Sequence, residues 1–268
     1  MNLRALSLLL VIGQLAACGP SRASLPAVDL FEQPVADAPD PVDRAGAAAN
    51  YVECRYGISQ GGWSVDFGPS GSGSDPDGAL ARFLDSAHFA LPARGFVAQG
   101  QDQHRVLYTY SVAGDPKTAV IVADGSKVPV GVEDGWGVET FASCDPAEFD
   151  PSIDDQLAVE IWLDAAGNRV PTFTITSRRG PAHCDWESVT FLRLEQRQYV
   201  SDPRGVLDGV EFVIPFDDDV ELPADATDTG YRRDGRQLWI SADGSIAYLV
   251  AGNRVEAWPS SIDPVACA

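Results

Sequence analysis

The sequence predicts a mostly β, α+β protein made of two tandem related units, each a short β-meander with one or two short helices and one disulfide. Three observations predict this. Short apolar segments alternate with turn-forming residues along most of the chain, which is typical of strands joined by tight turns. The motif Ser-Asp-Pro-x-Gly-x-Leu occurs at residues 74–80 and again at 201–207. Apart from Cys18, two cysteines fall in each half of the chain.

The chain begins with a segment typical of an exported protein. Residues 1–17 have a short positive start and then an apolar run that ends in small residues. This is the pattern of a cleaved signal peptide, and the run is too short for a permanent membrane span.

The end of this segment, Leu15-Ala16-Ala17-Cys18, resembles the lipobox of bacterial lipoproteins. The resemblance implies that Cys18 becomes the first residue of the mature chain and carries a diacylglycerol. Such a lipid would anchor the protein on the extracytoplasmic face of the cell membrane. An ordinary signal peptide, cleaved nearby, is the alternative.

Residues 18–43 are predicted to be the lipidated cysteine followed by a tether. Five prolines lie here among alanine, serine and aspartate residues. Segments of this composition stay extended and act as spacers. We therefore expect this segment to hold the rest of the protein away from the membrane.

Residues 44–150 are predicted to form the first unit. The helical spacing of apolar residues predicts a helix over 43–56, with Cys54 in its last turn, and a second helix over 77–89. Alternating or continuous apolar runs predict three strands, which cover residues 105–112, 118–123 and 136–144.

Residues 151–268 are predicted to form a second, β-rich unit. It opens with a hairpin whose arms are residues 157–163 and 169–177. Five short sequence motifs of the first unit then recur in the same order in the second. Residues 64–67 resemble 188–191, 91–93 resemble 222–224, 105–108 resemble 236–239, 119–123 resemble 247–251, and 138–141 resemble 255–258. This shared order predicts a duplication, and the alternative is that similar meanders reuse similar residues.

The cysteines support export. If Cys18 carries lipid or is lost with the signal peptide, four cysteines remain, an even number that predicts two disulfides in an oxidising compartment. Four cysteines allow three pairings, and only Cys54–Cys144 with Cys184–Cys267 respects the repeat.

Composition restricts the partners. The formal net charge is −20 and hydrophobic residues make up 45% of the chain, enough for a sizeable core. So acidic a chain argues against nucleic acid as a partner and against electrostatic binding to anionic lipid. The membrane is expected as a partner only through the lipid on Cys18.

No common catalytic or cofactor motif is present, so no cofactor is predicted. Glu139 and Glu256 occupy matching positions in the two units. If their apolar neighbours face a core, strand alternation places both carboxylates toward solvent. A pair of this kind across a cleft at the junction of the halves would suit acid/base catalysis.

Asp217, Asp218 and Asp219 are weak candidates for a metal site. Consecutive carboxylates offer hard oxygen ligands to calcium, but a solvated acidic loop has the same composition. We predict no metal site.

These observations predict a membrane-anchored extracytoplasmic lipoprotein with a non-catalytic role, either binding or cell-envelope scaffolding. An envelope protein or a glycan is the expected ligand. The alternative is an extracytoplasmic hydrolase, acting on glycan or peptidoglycan, that uses carboxylates at the junction of the two halves. Six tryptophans fit either a core or a sugar-binding platform.

Overall fold

The computed structural model of the chain describes residues 25–28, 30, 40–64, 72–86, 90–127, 135–207, 212–261 and 265. Within these residues the protein is mostly β, with three antiparallel sheets. The strands are β1 (Ile58–Trp63), β2 (Val97–Gln101), β3 (Arg105–Val112), β4 (Asp115–Asp124), β5 (Trp136–Cys144), β6 (Ile175–Arg179), β7 (Thr190–Leu194), β8 (Arg197–Ser201), β9 (Thr227–Arg233), β10 (Arg236–Ile240), β11 (Ile246–Ala251) and β12 (Arg254–Pro259). The helices are α1 (Pro41–Ala45), α2 (Pro76–Ser86) and short 3₁₀ segments at Gly46–Tyr51, Gly125–Lys127, Pro146–Glu148, Pro151–Gln156 and Ala182–Cys184.

The first sheet has five strands in the order β1-β5-β4-β3-β2, and both of its faces are covered. Alternate residues of the central strand β4 point to opposite faces. Ala119 and Ile121 pack in the layer that contains α1, whereas Val120 and Val122 pack in the layer that contains α2. All four residues are fully buried, which explains why β4 is a continuous apolar run.

The helix predicted over 43–56 is wrong in extent. α1 ends at Ala45 because Gly46 has a φ of 50°, in the left-handed region that ends helices. The chain continues as a 3₁₀ helix to Tyr51, so Cys54 lies beyond the helical segment. α1 packs closely on β1, where a Cβ at Gly61 would collide with the carbonyl oxygen of Pro41.

The second predicted helix is confirmed as α2. Pro76 is its first residue, and the carboxylate of Asp75 accepts a hydrogen bond of 2.8 Å from the backbone N–H of Gly78. This is the geometry of an N-terminal cap followed by proline. Phe83 is fully buried in the same layer, with its ring 5.4 Å from that of Phe141 on β5.

The second half contains a three-stranded sheet, in the order β6-β7-β8, and a four-stranded sheet, in the order β12-β11-β10-β9. Their facing sides form one core. Tyr199 of β8 and Trp258 of β12 are buried in it, and so is Trp162 from the segment before β6. Trp162 and Trp258 are therefore core residues.

The predicted hairpin over 157–177 is only partly present. Its turn forms, because the carboxylate of Asp164 accepts hydrogen bonds from the N–H groups of Ala166 and Asn168. The first arm makes only isolated bridges, at Glu160 and Leu163. The regular strand of this region is β6, which pairs with β7 instead.

The strands β2–β5 and β9–β12 form two meanders with the same neighbour order. Val122 pairs with Val138 in the first meander, and Val250 pairs with Val255 at the matching place in the second. Their surroundings differ, since α2 and α1 cover the first meander whereas the three-stranded sheet packs on the second. The tandem relation of the two units stays a prediction.

Part of the predicted tether packs on the first sheet. Ala27 forms a parallel bridge with Gln101 of β2, the edge strand. Leu30 is 1% exposed and belongs to the layer that contains α1. These residues contribute to the fold of the first half.

The predicted Cys54–Cys144 disulfide is confirmed. Cys184 is also disulfide-bonded, to a partner outside the described residues. Because Cys267 lies outside them too, the Cys184–Cys267 pairing stays a prediction. The predicted signal peptide and Cys18 also lie outside the described residues. No helix in the described part of the chain combines the length and the apolar character needed to cross a membrane.

Candidate functional site

A cavity of about 400 Å³ lies between the two halves, and we call it the junction cavity. Its floor is one face of the three-stranded sheet. Its other walls come from β1 of the first sheet and from the segments that connect the halves. The floor residues are Thr176, Arg178, Phe191, Arg193 and Gln198, and the wall residues include Ser59, Gln60, Ala90, Pro146, Ala158 and Val159.

Strand alternation explains why this floor is polar. Ile175 and Ser177 of β6 are buried toward the four-stranded sheet, so Thr176 and Arg178 point the opposite way. Thr176 pairs with Arg193 of β7, which in turn pairs with a residue of β8. One face of the three-stranded sheet therefore packs in the core with the four-stranded sheet. The other face carries Arg178 and Arg193 at the junction cavity, beside an apolar cluster that includes Phe191 and Val200.

The charge of the junction cavity is opposite to that of the chain. Two guanidinium groups, those of Arg178 and Arg193, line it, and no carboxylate does so among the described residues. Arg193 donates a hydrogen bond of 2.9 Å to the carbonyl oxygen of Thr172. The side chain of Arg178 has no hydrogen-bond or ion-pair partner in the part of the chain that the structure describes. The site is thus locally positive in a protein with a formal charge of −20.

The wall opposite the floor is held by local hydrogen bonds. Gln60 of β1 bonds to Ala90 in both directions, donating at 3.4 Å to its carbonyl oxygen and accepting at 3.1 Å from its N–H. Ser59 donates to the carbonyl oxygen of Cys144 at 3.1 Å. Since Cys144 is in the disulfide, this wall is tied to the best-buried part of the first sheet.

Asp145 fixes the connection between the halves. Its carboxylate is fully buried. It accepts hydrogen bonds from the N–H and hydroxyl groups of Thr172 in the second half, at 2.9 and 2.7 Å, and from the N–H of Ala147, at 2.9 Å. Buried carboxylates are tolerated when they are hydrogen-bonded in this way. Asp145 therefore positions Thr172, which lines the junction cavity.

Two further polar contacts hold the same connection. Arg169 bonds to Asp154 through two N–O contacts of 2.7 Å. Glu148 accepts hydrogen bonds of 2.8 Å from the N–H groups of Arg55 and Tyr56. The sulfur atoms of Cys54 and Cys144 lie close to Glu148, but disulfide sulfurs are not thiolate ligands, so this group does not suit a metal.

The expectation that Glu139 faces solvent is wrong. Glu139 is 8% exposed and forms a bidentate ion pair with Arg105, with N–O distances of 2.6 and 3.0 Å. These hydrogen bonds raise the pKa of Arg105. The physical reason is that both faces of the first sheet are covered. A side chain of β5 that points away from one core layer, as that of Glu139 does, therefore lies in the other core layer. Glu139 is also an extra residue of β5 that pairs with none in β4.

Glu256 lies elsewhere, in a polar cavity of about 240 Å³ inside the second half. We call it the inner cavity, and Glu160, Ser177, Arg179, Arg233, Arg236 and Glu256 line it. The carboxylate of Glu256 accepts a hydrogen bond of 3.0 Å from the indole N–H of Trp258 and lies 4.0 Å from Arg236. The structure thus does not bring Glu139 and Glu256 together, because one is sealed in the first sheet.

Glu160 is a second carboxylate of the inner cavity that sequence reasoning missed. It accepts a short hydrogen bond from the hydroxyl of Ser177 and lies 2.9 Å from a guanidinium nitrogen of Arg233. The hydroxyl of Ser177 in turn accepts from the indole N–H of Trp162, at 3.1 Å. The inner cavity is therefore bounded by a connected polar network.

The acidic run at 217–219 is used in local contacts. Asp217 accepts a hydrogen bond from the N–H of Asp219 at 3.0 Å, and Asp218 lies 2.6 Å from Arg254. The three carboxylates do not all lie within 4.8 Å of one another. The arrangement resembles a capped loop held by an arginine more than a set of converging ligands.

Sequence reasoning also missed Arg178 and Arg193, although a signal exists. Arg193 lies between Leu192 and Leu194, which places it on the sheet face opposite to them, and Arg178 lies three residues after Ile175, on the face opposite to it. What the sequence lacks is any sign that a second structural unit covers this face.

In comparisons with known proteins, no family model matches this chain, and neither a curated protein nor a solved structure matches it.

Proposed function

We propose that the protein is a membrane-anchored extracytoplasmic lipoprotein that binds a ligand in the junction cavity without transforming it. The junction cavity carries this proposal, because about 400 Å³ lies within the range of small-molecule sites. Among the described residues, its lining combines seven polar residues, two of them arginines, with five apolar ones, so it is more polar than most such sites. The lipobox resemblance at Cys18 and the Cys54–Cys144 disulfide support an extracytoplasmic location.

We also propose that the two meanders derive from a duplicated unit. Support comes from the shared order of sequence words, the same neighbour order of strands and the matching Val–Val pairs. In this proposal, the junction cavity formed where a sheet particular to the second half met the first sheet.

The anchor is tested by substituting Cys18→Ala and feeding expressing bacteria a clickable fatty acid. The wild-type chain is expected to carry the label and to sediment with membranes, whereas the variant carries none. Equal labelling of both chains would overturn lipidation at Cys18 and leave the cavity proposal intact.

Ligand binding is tested by obstructing the junction cavity. Ala158 is an exposed residue of its wall, so Ala158→Trp should fill the opening without disturbing a core. A panel of small carboxylates, neutral amides, short glycans and peptidoglycan fragments is screened by thermal shift against the full-length chain in detergent. Compounds that stabilise the wild type should lose their effect in Ala158→Trp and keep it in Ala166→Trp, a matched change in an exposed turn. If no compound distinguishes the two variants, the binding proposal fails.

Hydrolysis is the second candidate, and one observation favours it. Glu160 and Glu256 line the same inner cavity, so two carboxylates are available without Glu139. Each carboxylate already has an arginine beside it: Arg233 lies 2.9 Å from Glu160, and Arg236 lies 4.0 Å from Glu256. Because carboxylates paired in this way are less available for acid/base catalysis, ligand binding is the preferred proposal. Turnover of a peptidoglycan or glycan substrate that disappears in Glu160→Gln and in Glu256→Gln would favour the hydrolase.

A further inference from the structure

We infer that the junction cavity takes a small organic carboxylate, with its anionic head between Arg178 and Arg193 and an apolar body against Phe191 and Val159. This inference names a ligand class for the proposed binding function and rests on it. It does not depend on the lipid anchor.

The first argument is the pairing of charges. Four other arginines of the second half lie within 3 Å of a carboxylate oxygen: Arg169 with Asp154, Arg232 with Asp228, Arg233 with Glu160, and Arg254 with Asp218. Arg178 and Arg193 have no such partner among the described residues. Arg179, Arg197 and Arg204 also lack a carboxylate partner among the described residues, but only Arg178 and Arg193 lie together in the lining of the junction cavity, which contains no carboxylate. In a chain with 39 acidic and 19 basic residues, such a pair suits an anion that arrives from outside.

The second argument is the spacing of these arginines. Arg178 pairs with Phe191 on β7, two residues before Arg193, so the two arginines are diagonal neighbours on one sheet face. Diagonal neighbours lie about 7–8 Å apart, and long side chains from such positions can reach one small anion. Like charges on adjacent strands repel each other, so an anion shared by both arginines would offset this repulsion.

The third argument is an unsatisfied donor. Thr176 lines the junction cavity, and its hydroxyl oxygen is buried without a hydrogen-bond partner in the described part of the chain. Buried polar atoms without a partner are rare. Thr176 is directly opposite Arg193, so a carboxylate held by Arg193 would lie beside Thr176, whose hydroxyl can donate to it once the side chain rotates toward the cavity.

The apolar part of the cavity lining favours an organic carboxylate over an inorganic anion. Phe191 on the floor and Pro146, Ala158 and Val159 on the sides form the apolar part of a lining that also contains Ser59, Gln60, Thr172 and Gln198. An inorganic anion would leave this surface facing water. A carboxylate with an aliphatic or aromatic body covers it and gains from its burial, and arginine's planar fork matches a carboxylate in two-point contacts.

The experiment uses the full-length chain in detergent and isothermal titration calorimetry, with 4-phenylbutyrate as the anionic probe. Its amide, 4-phenylbutyramide, is the neutral probe of the same shape. Saturable binding of the carboxylate is expected, weakened about tenfold or more by Arg193→Gln and by Arg178→Gln, since each removes charge-assisted hydrogen bonds. Arg204→Gln, at an exposed position outside the cavity lining, should change the affinity by less than about twofold.

A second pair of variants guards against unfolding. Arg178→Lys and Arg193→Lys keep the charge but lose the fork, and they should weaken binding less than the glutamine variants do. Circular dichroism checks that each variant keeps the wild-type fold.

The outcomes separate the two levels of the proposal. If the amide binds as tightly as the carboxylate, and Ala158→Trp abolishes both, the cavity is a binding site but the anion inference is wrong. If Arg204→Gln weakens binding as much as Arg193→Gln does, the attraction is non-specific and the inference is wrong. Absence of saturable binding at about 10 mM carboxylate, weaker than any useful affinity, also overturns the inference, while the wider panel still tests the binding role.

Discussion

The ion pair of Arg105 and Glu139 is enclosed by the covering layers of the first sheet. Each residue is less than 10% exposed, and two hydrogen bonds join them. Removing two charges from water is costly, and the pair remains favourable only while both partners are present. The contact therefore identifies Glu139 as a structural residue.

Substitution of Glu139 by glutamine should be strongly destabilising. Glu139→Gln removes the bidentate partner of the buried Arg105 guanidinium and leaves the more distant carboxylate of Asp102, at 3.6 Å, so we expect a cost of about 3 kcal/mol. The matched change Glu256→Gln should cost about 1 kcal/mol or less, because its nearest arginines are 4.0 Å away and partly exposed. Urea unfolding, followed by tryptophan fluorescence, measures both.

A double variant completes this test. Arg105→Leu with Glu139→Leu removes both charges together, and we expect it to recover much of the lost stability. If Glu139→Gln and Glu256→Gln have equal effects, the buried pair does not have the role described here.

At this scale the sequence predicts only part of a side chain's direction and little of its surroundings. Strict alternation along β5 would place Glu139 on the same face as Phe141, but the irregularity at Glu139 puts Val138 and Phe141 together in the α2 layer and Glu139 on the opposite face. The sequence does not reveal that α1, a 3₁₀ segment and Leu30 cover the opposite face. In the same way, alternation places Arg178 on the face opposite Ile175, but the junction cavity forms only through residues distant in the chain.

Among the elements, one motif forms two different structures. Asp75 and Asp202 both cap backbone N–H groups, Asp75 that of Gly78 and Asp202 those of Val206 and Leu207. After Asp75 the chain continues into α2, whereas after Asp202 it makes a turn with no helix. The capping chemistry is local and therefore predictable, and the continuation depends on whether an apolar helical face follows.

The bounds of β3 and β5 agree with the sequence prediction for residues 105–112 and 136–144. These strands end at turn-forming residues, so their limits are set locally. The helix predicted over 43–56 is too long because its apolar spacing is also satisfied by a 3₁₀ segment packed on the sheet. Periodicity alone does not separate the two when a glycine interrupts the helix.

The hairpin of β10 and β11 gives a pH-dependent prediction. Asp243 in its turn accepts hydrogen bonds from the N–H of Ser245 and from the hydroxyls of Ser241 and Ser245. These bonds lower its pKa from 3.8 to about 2. Since the folded pKa lies below the unfolded one, the contribution of Asp243 to stability is complete above about pH 4 and is lost as the pH falls toward 2.

We therefore expect wild type and Asp243→Asn to differ most near neutral pH and to converge between about pH 4 and pH 2. The urea midpoints of both proteins are measured across this pH range and subtracted. Because both proteins share the other carboxylates, the titration of those groups cancels in the difference. Ser245→Ala removes one of these contacts, the hydrogen bond from the hydroxyl, and should shift the convergence to higher pH. A difference that stays constant over the whole range would contradict this account.

For the whole molecule, the arrangement of the three sheets decides where a site can form. The four-stranded sheet packs against one face of the three-stranded sheet, and the two form a shared core. The other face carries Arg178 and Arg193, and it meets the first half at β1. The order of the repeated sequence motifs along the chain predicts the meanders. It contains no information about which sheet faces pack together, because those contacts join residues that are distant in the sequence.

Asp145 links this arrangement to function, since it holds Thr172 of the cavity wall from the segment that follows β5. Asp145→Asn replaces charge-assisted hydrogen bonds by neutral ones and should destabilise the protein by about 1.5–3 kcal/mol. It should also weaken binding of 4-phenylbutyrate although Arg178 and Arg193 are intact, because the wall that faces them is no longer fixed. The control Asp154→Asn affects a partly exposed ion pair of the same connection and should cost about 1 kcal/mol or less. Calorimetry and urea unfolding of both variants decide the matter: equal effects of the two changes would show that Asp145 does not position the junction.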